Sequence, residues 1–113
     1  MKASELQGVA LDWAVTKCEG YDHEVTPGSV WGKWGWATDW AQGGPIIERE
    51  RIDLYFVGHD AVDNALPIWR AEKLGTWGEE GFDPLIAAMR CYVASKLGND
   101  VEIPNELTTG ESK

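Results

Sequence analysis

The sequence predicts an α+β fold in one domain, a small antiparallel sheet packed against two helices. Three observations predict it. Apolar residues recur at helical spacing near both ends, and period-two alternation broken by turn residues fills the middle. The 113 residues also suffice for one core without staples. Hydrophobic residues make up 43% and charged residues 26%, the balance of an ordinary globular protein. Residues 1–107 are expected as ordered core and 108–113 as a frayed polar tail.

The first helix is expected to open on Ser4-Glu5-Leu6-Gln7, which has the form of a capping box. Leu6, Val9, Ala10, Trp13 and Ala14 then form one apolar stripe, and Gly20 follows as the C′ residue. Residues 21–45 are rich in glycine and tryptophan and lack a helical period. Trp34, Trp36, Thr38 and Trp40 share one parity, so an extended strand would carry them on one face, with a bulge at Gly32 or Gly35. Gln42-Gly43-Gly44-Pro45 reads as a turn or loop.

Ile46 to Val57 reads as a strand with Ile52, Leu54 and Phe56 on one face and Arg49, Arg51, Asp53 and Tyr55 on the other. A second strand covers Leu66 to Glu72, where Pro67 marks a strand start or a sheet edge. Residues 75–81 read as a loop. The second helix has Asp83 as N-cap, Pro84 at its first position and Gly98 as C′. From Leu85 to Ala94 it is apolar on nearly every side, which predicts a central helix covered on more than one face.

A net charge of −9 repels polyanions, so double-stranded nucleic acid is not an expected partner. A small anion remains admissible, because one pocket needs only two or three local cations. No apolar run reaches the ~18–20 residues of a membrane span, and the first residues lack a signal peptide's apolar stretch. The expected location is therefore the cytoplasm. Cys18 and Cys91 match no metal or redox spacing and read as small buried hydrophobes in a reducing compartment.

Three segments together carry a resemblance. They are Thr38-Asp39-Trp40-Ala41-Gln42-Gly43-Gly44-Pro45-Ile46-Ile47-Glu48-Arg49-Glu50, the helix Pro84 to Gly98, and the opening Ser4-Glu5-Leu6 with Ala10-Leu11-Asp12-Trp13-Ala14-Val15. Through them the chain resembles the NinX-like family of small proteins encoded in the early accessory regions of tailed bacteriophages and prophages. The resemblance implies an early phage protein in the bacterial cytoplasm; it implies no mechanism. Residues 21–37 depart from the family pattern, being shorter and richer in tryptophan.

Four of the seven tryptophans fall between positions 31 and 40. Four such side chains carry about 600–1,000 Å² of surface, more than the roughly 300–600 Å² of a typical monomer's largest apolar patch. Either they close a core or a ligand or partner covers them. Catalytic readings are weak. A Cys18 or Cys91 nucleophile with His23 or His59 would need an electropositive site, and both thiols fall in apolar helical stretches. His23-Glu24 and His59-Asp60 lack zinc-site spacing, so neither a metal nor another cofactor is expected. Gly43-Gly44-Pro45 does not open a helix as a phosphate loop does.

Ligand binding has more support. Trp36 and Trp40 could stack on a ligand, Asp39 and Gln42 could read its polar edges, and Gly43 and Gly44 could offer backbone N–H groups. Arg49 and Arg51 share a strand parity and would form either an anion clamp or cross-strand charge pairs. Arg90 interrupts an apolar helix. It must pair with a carboxylate such as Asp12, Asp39 or Glu48, reach solvent, or hold an anion. The expected ligand set is therefore Trp36, Asp39, Trp40, Gln42, Gly43, Gly44, Arg49 and Arg90. The competing reading packs Trp34, Trp36 and Trp40 on the second helix. Functionally, the sequence favours a non-enzymatic binder of a small nucleotide-type host signal. The alternative is a protein-binding module or homodimer docking on a host factor, since tryptophan and arginine anchor interface hot spots.

Overall fold

The computed structural model of the chain describes residues 2–20, 35–59, 66–75 and 78–103. The expectations for Trp31, Gly32, Trp34, Trp77, His23 and the tail 108–113 lie outside the described residues. Three helices, α1 (Gly8–Cys18), α2 (Trp40–Glu50) and α3 (Pro84–Leu97), accompany three strands, β1 (Asp53–His59), β2 (Pro67–Glu72) and β3 (Glu79–Gly81). The strands form an antiparallel meander in the order β1-β2-β3. The fold is α+β as predicted, with one more helix than the sequence reading placed and with β3 inside the expected loop 75–81.

The chain begins with a single 3-10 turn, Ala3–Glu5, rather than a capping box on Ser4. Gln7 is the N-cap of α1 and makes no side-chain cap bond. The turn is held from elsewhere: the Ala3 amide donates to the Asn99 carbonyl at 2.8 Å, and Lys2 bridges Asp100 beyond the end of α3. Leu6, Ala10, Leu11, Trp13, Ala14 and Val15 are buried. Gly20, at φ +84, stands just past the helix as expected.

The segment 35–50 departs most from the sequence reading. Trp36 to Thr38 form a turn instead of a strand, in which the Gly35 carbonyl accepts from the amides of Thr38 and Asp39. Gln42 to Pro45 lie inside α2 instead of a loop. Two glycines and an internal proline cost a helix roughly 1, 1 and 3 kcal/mol relative to alanine, so local propensity opposes it. Tertiary packing overrides that preference. A Cβ at Gly43 would collide with the Trp36 carbonyl oxygen and approach Leu85 Cδ1 to 2.7 Å, so only glycine lets α2 sit this close. Gly44 precedes Pro45, where a Cβ would meet the proline ring in helical geometry. Asp39 caps the start, its carboxylate accepting from the Ala41 amide at 2.9 Å.

The expected strand Ile46–Val57 is thus divided between α2 and β1. Arg51 ends the helix in the left-handed region at φ 56, and β1 starts two residues later. The sheet has two distinct faces. Across the ladder Leu54, Ala71 and Glu79 are neighbours, as are Phe56, Trp69 and Gly81. This face meets α3: Ala71 is fully buried, and a Cβ at Gly81 would lie 3.0 Å from Ala87 N and Ile86 Cγ2. The other face carries Tyr55, Arg70 and Glu80 in register.

The second helix of the sequence reading, α3, is the centre of the molecule. Leu85, Ala87, Ala88, Met89, Cys91, Tyr92 and Val93 are buried on several of its sides, and α1, α2 and the sheet all pack on it. Asp83 caps it through the amides of Leu85 and Ile86 at 2.8 and 3.2 Å.

Candidate functional site

Among the described residues, Trp36, Asp39, Gln42 and Gly43 of the expected tryptophan–glycine set are engaged in packing and capping. Trp36 is only 5% exposed, and its indole N–H donates to Thr16 Oγ1 at 2.9 Å. Gly43 is the close-approach residue between α2 and α3. Asp39 is spent as the helix cap. The Gln42 side-chain carbonyl accepts from the Gly35 amide at 2.7 Å, so it fastens the preceding turn. Trp40 is 52% exposed at the start of α2.

Arg49 and Arg51 are not an anion clamp, because one ends α2 and the other turns the chain out of it. Arg49 binds Glu19 through two nitrogens, at 2.6 and 3.2 Å, and Glu50 through Nε at 2.9 Å. Tyr92 donates its hydroxyl to Glu19, so the network joins the ends of α1 and α2 to α3. Burial pushes the Glu19 carboxyl upward, but the hydrogen bonds from Arg49 and Tyr92 outweigh it and hold the group below its ordinary value. Beside it, the Cys18 thiol is pushed up to about 12, first by burial and then by the Glu19 charge. It carries negligible thiolate at neutral pH. Among the described residues no three His, Cys, Asp or Glu side chains are placed to hold a metal ion.

Arg90 of the expected set lines an open cleft. The cleft is about 540 Å³ and lies where β3 and α3 meet the N-terminal turn. Ser4, Ile68, Arg70, Glu79, Phe82 and Arg90 contribute its chemistry. This volume falls within the roughly 300–1,000 Å³ of small-ligand sites. None of the anticipated carboxylate partners reaches Arg90. Its Nε donates to the Leu6 carbonyl and its Nη1 to the Glu80 carbonyl, each at 2.7 Å, and it forms no ion pair with any described residue. Burial lowers its pKa, and the Glu79 charge only partly offsets that.

Glu79 is the complementary group. It shares the helix-facing side of β3 with Gly81, and its carboxylate accepts no hydrogen bond from any described residue. Burial raises its pKa against the pull of Arg90 and Arg70. Glu79 also lines two adjoining depressions. One, of about 310 Å³, contains Lys2, Ser4 and Asn99. The other, of about 230 Å³, contains Gly78, Ser95 and Asn99. The three hollows share residues and meet at Glu79. Phe82, 52% exposed, supplies an aromatic face at the rim. Arg70 is held by Glu72 at 3.0 Å and Glu80 at 3.4 Å.

Glu79, Phe82, Ser4, Ile68 and Arg70 were absent from the sequence-derived set. β3 has only three residues, too few to display a period, and nothing local ties Ser4 to Phe82. Fold and cleft together define a small acidic α+β protein with an open, charge-bearing pocket and no assembled nucleophile or metal among the described residues. The chain belongs to the bacteriophage P22 NinX family, whose model matches residues 2–96. No curated protein matches the chain. Among the described residues no helix is long and apolar enough to cross a membrane.

Proposed function

We propose that the protein is a binding module that takes up a small anionic, nucleotide-type ligand in the β3–α3 cleft. In an infected bacterium it would sequester a nucleotide signal of a host antiviral system; the phage family supports that context. One observation carries the binding reading: Arg90 presents a half-buried guanidinium to a ligand-sized cleft, with two carbonyl partners and no carboxylate among the described residues. Arginine has five N–H donors in a planar fork suited to phosphate and carboxylate oxygens, and two carbonyls leave part of that capacity unused. The test is calorimetry of the purified chain against cyclic and ADP-ribose-type nucleotides. Micromolar or tighter binding that weakens at least ten-fold in Arg90→Gln is expected. No heat from any of them would overturn the reading.

A second reading has its own observation. β1 is an edge strand among the described residues, and Tyr55, Phe56 and Val57 are all exposed on it. Exposed apolar edges pair readily with another strand. Docking on a host protein or a second copy would use that edge. A monomer by light scattering, with no host protein recovered from infected cells, would remove this reading.

A further inference from the structure

Beside the guanidinium, the cleft holds a carboxylate with no hydrogen-bonding partner among the described residues. Arg90 offers donors and Glu79 offers acceptors. Each influences the other's titration, yet they form no ion pair. Both groups line the same cleft, where burying either one unpaired is costly. The Leu6 and Glu80 carbonyls hold the guanidinium, and strand register places Glu79 opposite Ala71. Donors and acceptors on one cleft wall suit a ligand edge that presents an acceptor next to donors.

Resting on the ligand-binding reading above, we infer that the cleft selects a guanine-type base, with Arg90 donating to its carbonyl oxygen and Glu79 accepting from its ring N–H and exocyclic amine. Guanine carries one acceptor and two donors in a row along one edge. Adenine presents a donor where guanine has its carbonyl and has no ring N–H on that edge, so it would set an amine against the guanidinium. Phe82 is the exposed ring against which the base stacks, a contact worth a few-fold to a hundred-fold in affinity per base. The depression containing Lys2 continues from Ser4 and leaves room for an anionic substituent beyond the base.

The test is calorimetry of the full chain with guanosine, inosine and adenosine monophosphates, repeated on Glu79→Gln. The wild-type protein is expected to prefer the guanine nucleotide over the adenine nucleotide by about ten- to a hundred-fold, the span of one good bidentate base contact. Inosine, which lacks the exocyclic amine, falls between them. Glu79→Gln is expected to abolish the preference by lowering guanosine monophosphate affinity about ten-fold or more. Equal affinity for all three, still dependent on Arg90, would overturn the guanine inference and leave the anion-binding reading standing. No binding by any of the three, with binding of another nucleotide of the wider panel, would likewise overturn only the inference. Silence across the wider panel would overturn both. The wild-type comparison decides the matter even if the variant folds poorly.

Discussion

The segment 35–44 and the β3–α3 cleft differ in how completely the protein satisfies its own groups. In the first, Trp36 has Thr16, Gln42 has the Gly35 amide, Asp39 has the Ala41 amide, and Gly43 has Leu85 against its backbone. In the second, among the described residues, Arg90 holds two carbonyls and no carboxylate, and Glu79 accepts from none. Conspicuous residues in the first region, Trp40 apart, are consumed by folding. Ordinary residues in the second are left with capacity to spare. Chemical conspicuousness in a sequence therefore marks packing here, while unmatched polar capacity beside a cavity marks the site.

Substitutions can break that comparison, beginning with Trp36→Ala. It removes a buried indole and its hydrogen bond to Thr16, whose hydroxyl keeps only its bond to the Asp12 carbonyl, so urea unfolding is expected to show a loss of about 3–5 kcal/mol. A loss below about 1 kcal/mol would mean Trp36 is not a core residue. Gly43→Ala comes next. Forcing a Cβ against the Trp36 carbonyl and Leu85 should cost about 1–3 kcal/mol as overpacking, although alanine is the better helix former. A neutral or stabilised variant would show that α2 packs less closely than described.

Asp12 sharpens the comparison through pH. Its carboxylate accepts from the Ala37 amide at 3.3 Å and so ties the 35–38 turn to α1. Burial nevertheless wins over that bond and raises the group from 3.8 to about 6. The folded chain thus holds this proton more tightly than the unfolded chain. The stability Asp12 contributes is complete below about pH 4 and is lost as the pH rises through about 6. Asp12→Asn should flatten that slope and gain about 1 kcal/mol at pH 7, after discounting for partial solvent screening. Thermal melts at pH 4, 5, 6 and 7 read it directly; an unchanged slope would contradict the assignment. The smallest effect belongs to Trp40→Ala, expected within about 0.5 kcal/mol of wild type because the ring is half exposed. A large loss there would return Trp40 to the core.

The parts of the fold legible in sequence were those whose local signals agree with their packing. Asp83, Pro84 and Gly98 bound α3 as their chemistry dictates, and β2 runs from Pro67 as the proline requires. α2 was illegible because glycine, glycine and proline oppose the helix that tertiary contacts impose. A weaker signal was present: Asp39 followed three residues later by Gln42 has the spacing of a helix start. Ile46 and Ile47 then continue at helical distance from Gly43. The site was harder still. Arg90 stood out as a charge in an apolar helix, but whether a carboxylate reached it depended on residues more than eighty positions away, at Leu6. Glu79 belongs to a strand of three residues whose only visible mark was a neighbouring glycine.

In the proposed binding mode, ligand enters between β3, α3 and the N-terminal turn and leaves the start of α2 untouched. A titration of isotopically labelled protein with guanosine monophosphate and with ADP-ribose, followed by amide chemical shifts, locates the contact residue by residue. Shifts concentrated at Ser4, Glu79, Glu80, Gly81, Phe82 and Arg90, with Trp40 to Gly44 unmoved, are the predicted result. Shifts centred on Trp40, Gln42, Gly43 and Gly44 instead would contradict the account.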